Sequence, residues 1–482
     1  MSQAGPTVVH KTLCPRIAVL QTQDVTDLLQ QEIHLPSLAV LLKPWQAAGV
    51  ERVNLRTSAF EAFTAAQFPL CIDDLSNIQD ESQSVDSLGG WLDNVSSRIN
   101  GLPVSEPASL DEASELETPW YDEMRDSVLD LRPIASHQTF TQPVVYLYAT
   151  SASHPEPLNA LASLYESTSP ARLSTADRHA FVDPNILRYY VVIHDARKSK
   201  IEDSQALLEQ IRRSYGVHCA ILSINSFDPH APPPLEGEKD TRPDTFDTLW
   251  QPYTSEDAKA VQGLGNKDVL AIRIFLRDLV VMSLVPWMER NVQSWNESLA
   301  ASRRGLTGRL FNVGRKYFGG SSSGRSSPAN GPVAAYIPSK GYYPHQTTEA
   351  QTRRLADFAF MLRDYKLAAF TYDLVRKDFS TEKAWRDYAQ ASRMTGLSNL
   401  MLSLYPISAA FSLAKRPDVD FFLEQAYTAH TAPTQSAYAL LDDLKATVLY
   451  YETYKLLGET KSAPIALCRT AADVRVFIPS NN

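Results

Sequence analysis

Three runs in the first half of the chain, QPVVYLYATS (142–151), LRYYVVIHD (187–195) and VHCAILSINS (217–226), are apolar at both odd and even positions over much of their length. A strand with one wet face alternates; a run apolar on both parities needs cover on both sides. PLNALASLYES and IEDSQALLEQIRRSY, patterned as helices, stand between the runs. That order predicts a mainly parallel sheet with helices on both faces. RIAVLQT and DVTDLLQQEI, a helix capped by Asp24, begin the same pattern near the N-terminus, and SLAVLLKPW and VERVNLR add apolar segments. An α/β domain is expected over residues 1–255. Residues 72–130 break the pattern: fourteen acidic residues from Asp73 to Asp126 face only Arg98 and Arg125, with few apolar residues. They read as an acidic, partly disordered insertion, either a solvated loop or a docking segment for a basic partner.

After residue 255 the periodicity is helical. Residues 256–302 read as long connecting helices, with Val285, Met288, Val292, Trp295 and Leu299 in a stripe down one face and Pro286 marking a kink or break. A basic amphipathic segment and a Ser/Gly-rich loop follow over 303–346. Residues 347–482 read as an all-α solenoid of helical hairpins. In LADFAFMLRDYKLAAFTYDLV the small residues Ala356, Ala359, Ala368 and Ala369 allow close approach, while Tyr365, Phe370 and Tyr372 fill the gap, a tetratricopeptide-like pairing.

Two or three domains suit 482 residues. A net charge of −9 argues against a general nucleic-acid binder. The four cysteines are too scattered for a zinc site or a disulfide framework, and no signal peptide opens the sequence. Arg273, Arg277 and Asp278 interrupt the most apolar run (269–288), which therefore reads as a buried helix. GLGNKD (263–268) lacks a preceding strand and a third glycine, and reads as a helix-start turn rather than a phosphate site. His194 and Asp195 end a strand, where α/β folds hold ligands, but neighbouring strand residues face apart. Asp195 is expected to cap the next turn and His194 to be half-buried. His218 and Cys219 face apart for the same reason. No catalytic, cofactor-binding or metal-binding residue is assigned.

One stretch stands out, SRRGLTGRLFNVGRKYFGGSSSG (302–324). Between Glu297 and Glu349 there is no acidic residue, and seven basic ones lie there. On a helical wheel Leu306, Leu310, Val313 and Tyr317 share a line flanked by Phe311 and Phe318; Arg303, Arg304, Arg309, Arg315 and Lys316 supply the charge. Such a helix can lie in a bilayer interface. Each basic residue gains about 1 kcal/mol at an anionic leaflet. Gly305, Gly308 and Gly314 each cost about 1 kcal/mol of helix propensity, so the helix is expected to form on a surface. The protein's own core, a membrane and a partner protein are the three surfaces open to it. Ser326 and Ser327, before Pro328, are candidate phosphorylation sites whose added charge would oppose anionic lipid.

Three blocks carry a family resemblance: CPRIAVLQTQDV (14–25), DLVVMSLVPWMERNVQSWNESLAASRRGLTGRLFNVGRKYFGG (278–320) and YYPHQTTEAQTRRLADFAFMLRDYKLAAFTYDLVRKDF (342–379). With them the chain resembles the large TRAPP III-specific subunits of the TRAPP vesicle-tethering complexes. The resemblance implies a non-catalytic scaffold with an α/β part followed by an α-solenoid. It also implies the TRAPP core subunits as partners, and through them a Rab GTPase whose nucleotide exchange the complex supports in ER–Golgi transport and autophagy. An anionic membrane surface is implied, with a cytoplasmic location, peripheral on Golgi and pre-autophagosomal membranes; nucleic acid is not. Family members are longer, so the solenoid is expected to be truncated here. A stand-alone solenoid adaptor and an α/β enzyme with a helical appendage are the alternatives.

Overall fold

The three apolar runs are neighbours in a five-stranded sheet, two of them inside it and VHCAILSINS at its edge. The computed structural model describes residues 7–78, 85–101, 119–168, 180–225, 266–316, 336–405, 419–430 and 437–459. In chain order its elements begin with α1 (Val8–Thr12), β1 (Arg16–Gln21), α2 (Gln23–Glu32), α3 (Leu38–Leu42) and α4 (Trp45–Ala48). Strands β2 (Val50–Arg56), β3 (Ala62–Phe68) and β4 (Cys71–Asp74) follow, then α5 (Val85–Asn100) and α6 (Pro119–Asp130). Next come β5 (Pro143–Ser151), α7 (Pro157–Ser167), β6 (Leu187–Asp195), α8 (Ile201–Tyr215) and β7 (Cys219–Ile224). The rest is helical: α9 (Asn266–Asp278), a π turn (Leu279–Leu284), α10 (Val285–Lys316), α11 (Thr348–Met361), α12 (Tyr365–Thr381), α13 (Trp385–Leu404), α14 (Val419–His430) and α15 (Ala437–Leu457).

The sheet order is β4-β1-β5-β6-β7, parallel throughout. Every residue of β5 is buried, as its two-sided apolarity requires. Thr22 is the N-cap residue of α2, with Asp24 inside the first turn, so Asp24 is not the cap. A second, two-stranded sheet pairs β2 with β3 antiparallel, from Val50↔Phe68 to Arg56↔Ala62. The chain enters it through Gly49, at φ +63, where a Cβ would stand 2.1 Å from the Phe68 carbonyl oxygen.

Pro286 neither breaks nor ends its helix. The π turn before it widens the ladder, the Val285 N–H bonding back five residues to Val280 O, and α10 continues beyond. Of the expected stripe, Val285, Met288 and Val292 are buried, while Trp295 packs its ring 5.1 Å from Phe358 of α11.

The chain divides into two compact units, residues 1–77 with 142–371, and residues 78–141 with 372–482. The expected insertion over 72–130 is described in part, at 72–78, 85–101 and 119–130. Its described residues include the edge strand β4 and two helices, and α6 lies in the second unit beside α15. Tyr121, Met124 and Val128 are spaced as one helix face. Val128 packs with Leu441 and Leu444, and Tyr121 Oη donates to Glu452 Oε1 at 2.7 Å. Acidic residues dominate the composition, but a few apolar ones at helical spacing decide the packing.

Helices α11 to α12 and α12 to α13 are joined by the same turn. Arg363 and Lys383 take positive φ (63° and 61°), and the next N–H reaches back five residues, Asp364 to Ala359 O and Ala384 to Phe379 O. Ala356, Ala359, Ala368, Tyr365 and Tyr372 are buried, Ala369 is half-buried and Phe370 is 60% exposed.

Candidate functional site

The catalytic-looking pairs of the α/β part form no shared site. His194 is buried rather than half-buried, and its Nδ1 lies 3.0 Å from Ser204 Oγ and 3.1 Å from Ser199 Oγ. Asp195 turns to the loop beyond β6, its Oδ1 accepting from the Arg197 N–H and from Asn225 Nδ2. The expected turn cap is therefore present, and the two side chains serve different neighbours. His218 Nδ1 meets Ser283 Oγ at 2.9 Å, while the Cys219 thiol, raised by burial, donates to Gly216 O. Among the described residues no group of three or more His, Cys, Asp or Glu could hold a metal. GLGNKD is described from Asn266 onward, where α9 begins.

The basic stretch continues α10. The helix runs unbroken through Arg303, Arg304, Gly305, Leu306, Gly308, Arg309, Leu310, Phe311, Val313, Gly314 and Arg315 to Lys316. The side chains from 302 onward, and the whole of Tyr317, Phe318, Ser326 and Ser327, lie outside the described residues. No described helix is long and apolar enough to cross a membrane.

Residues 353–365 of the third family block, by contrast, lie wholly in the first unit. Arg354 is buried; it pairs with Asp183, donates to Asn185 O at 2.9 Å and stacks over Trp295 and Phe358 at 5.1 and 5.2 Å. Burial pulls its guanidinium down to about 9, so it still carries charge at neutral pH. Beyond α11, three consecutive residues reach three other elements. The Arg363 guanidinium donates to Gln67 O of β3. The Asp364 carboxylate accepts from Ser58 N–H (2.7 Å) and Ser58 Oγ (2.6 Å) at the hairpin tip, and also caps α12 through Leu367 N–H. Tyr365 Oη lies 2.6 Å from His10 Nε2 of α1, and burial holds that imidazole well below its ordinary range. A cavity of about 280 Å³ opens beside this junction, lined in part by Phe60, Ser58, Pro286, Glu289 and Leu362. Glu289, raised by burial, accepts there from the Arg56 N–H. The junction is a latch of polar groups that ties α1, the hairpin and the α11–α12 turn together. The block announced its importance, but the pairing of its residues with Ser58, Gln67 and His10 had no sequence signal.

Residues 9–458 match the family described as the ER–Golgi trafficking TRAPP I complex 85 kDa subunit. Transport protein particle subunit trs85-1 of Schizosaccharomyces pombe is 28% identical over 316 residues, covering 57% of this chain and 46% of that protein. Trafficking protein particle complex subunit 8 of Homo sapiens is 22% identical, covering 82% of this chain and 32% of its own. Trafficking protein particle complex III-specific subunit 85 of Saccharomyces cerevisiae is 23% identical, over 51% and 35%. The chain thus spans less than half the length of these three relatives. The match extends from α1 through α15 and takes in both the junction and the basic helix: the chain belongs to the TRAPPC-Trs85 family of TRAPP complex subunits.

Proposed function

We propose that this chain is a non-catalytic scaffold of a TRAPP-type tethering complex and brings that complex to an anionic membrane. Family membership over residues 9–458 is the observation that carries the reading. In it the chain binds the small core subunits, and a Rab GTPase undergoes nucleotide exchange on that core during ER–Golgi transport and autophagy. The helices from α11 onward act as an α-solenoid, and the assembly works on the cytoplasmic face of Golgi and pre-autophagosomal membranes. Arg303, Arg304, Arg309, Arg315 and Lys316 meet anionic headgroups, while Leu306, Leu310, Phe311, Val313, Tyr317 and Phe318 enter the interface. A backbone that stays helical through three glycines supports this use. Phosphorylation at Ser326 or Ser327 adds about −2 charge beside the basic face and releases it.

Flotation of the purified chain with phosphatidylserine-containing vesicles tests the membrane part. Wild type is expected to float, and Leu310→Asp with Phe311→Asp to stay at the bottom while keeping its melting temperature. Equal behaviour of the two proteins overturns the assignment of this helix.

A further inference from the structure

We propose that the outer edge of β3 receives an extended segment of another subunit, which adds to the β2–β3 hairpin as a third strand. The phase of the ladder comes first. Thr57 N–H bonds to Glu61 O at 3.0 Å, and these two residues stand opposite each other in the register. From Val53 to Thr57 and from Glu61 to Ala65, odd-numbered residues therefore turn their polar backbone groups inward and even-numbered ones outward; the alternation shifts beyond, where Arg52 takes φ 51° and the buried residues Val50 and Val53, like Ala65 and Phe68, stand three apart. On β2 the outward Arg56 N–H is taken by Glu289, and past the shift Arg277 donates to Glu51 O on β2 and Arg363 to Gln67 O on β3.

In the stretch before the shift, the outward N–H and C=O groups of β3 belong to Ala62 and Thr64. Among the described residues they have no hydrogen-bond partner. Ala62 and Thr64 are exposed, Phe63 and Ala66 half-buried. AFTAAQF holds no charged residue and no proline, and the positive-φ residue of the hairpin body, Arg52, lies on β2. Charge, proline and bulges are the usual devices that stop a strand edge from pairing; Arg363 meets Gln67 at the far end of β3, but the Ala62–Thr64 stretch has none of them. Backbone donors and acceptors at strand spacing, unpartnered among the described residues, fit one kind of occupant, an extended main chain.

Side chains narrow its composition. Phe63 offers the added strand an apolar neighbour on the covered face, and Arg56, across from Ala62, offers a cation on the open face. A segment alternating apolar and acidic residues suits both. A second copy of the chain suits neither, because self-pairing about Thr64 sets alanine against alanine and threonine against threonine. The inference rests on the chain working as a subunit of an assembly.

Hydrogen exchange of the full chain, alone and in the assembly reconstituted with the TRAPP core subunits, tests it. The amides of Ala62 and Thr64 are expected to exchange freely alone and at least about tenfold more slowly in the assembly. Thr64→Pro removes an outward N–H without touching the β2 ladder, and is expected to weaken assembly about tenfold. Thr64→Val, which keeps the N–H, is expected to leave it unchanged. If Thr64→Pro fails to fold, Thr64→Lys blocks the edge in its place. Co-elution with unchanged edge amides, or full affinity in the blocked variants, overturns the third strand and leaves the subunit reading intact. Failure to co-elute at all overturns the subunit reading and the third strand with it. Protection in the isolated chain at twice the monomer mass overturns it in favour of a second copy.

Discussion

Gly396 shows how much one missing methyl group decides. It sits inside α13, where glycine costs about 1 kcal/mol of helix propensity against alanine. A Cβ there would stand 2.1 Å from Tyr450 Oη and 3.1 Å from its Cζ, and that hydroxyl donates to Arg393 O at 2.7 Å. The glycine lets α15 lie against α13 with the tyrosine between them. Gly396→Ala is expected to destabilise the second unit by about 1–3 kcal/mol despite the better helix former. Gly396→Ala with Tyr450→Phe is expected to recover part of the loss; thermal melts of the four proteins of the cycle measure it. Full additivity would show that the contact is not the cause.

At the scale of elements, the hairpin latch carries a sharper test. Asp364 gives one carboxylate to Ser58 and to the first turn of α12 together. Asp364→Asn keeps the shape, weakens the acceptor and is expected to cost about 1–3 kcal/mol. Exchange of the amides from Thr57 to Glu61 should rise selectively, since the tip loses an anchor. Selective unfolding elsewhere would assign the loss to another contact. The same elements explain what was legible. The strands β5 and β6 declared themselves because two-sided apolarity has one good solution. Strand β3 did not, because three alanines in AFTAAQF have weak β preference and only the pairing with β2 makes them a strand. The π turn was invisible for a related reason: Pro286 signals trouble for a ladder but not how the ladder absorbs it. The basic stretch was legible as charge and wheel, which is all that the composition of a helix end encodes.

For the whole molecule, buried histidines make both units acid-sensitive, His10 in the first and His137 in the second. His137 is fully buried, 3.0 Å from Asp442, with Arg386 and Arg393 close to that carboxylate and Gln138 bonded to Gln390 alongside. Burial, reinforced by Arg386, lowers the imidazole to about 3. Burial alone would raise Asp442, but His137, Arg386 and Arg393 hold it well below the ordinary carboxylate range. Below about pH 6.5 the unfolded chain binds a proton that folded His137 refuses until about pH 3, so stability falls with pH across that window. The expected loss is about 2 kcal/mol between pH 7 and pH 5. Urea unfolding followed through α15 amides should show it, and His137→Asn should flatten it. An unchanged slope in that variant would place the sensitivity elsewhere.

The pairing of α6 with α15 also sets an order of events during synthesis. Tyr121 and Glu452 are 331 residues apart in sequence. At about 5–20 residues per second, α6 waits roughly 15–70 s on the ribosome before the helix it packs against has been made. Throughout that interval Tyr121, Met124 and Val128 have no native cover from α15. The dense acidic charge around them keeps the waiting segment soluble, which gives the composition of this stretch a role in biogenesis as well as in the finished fold.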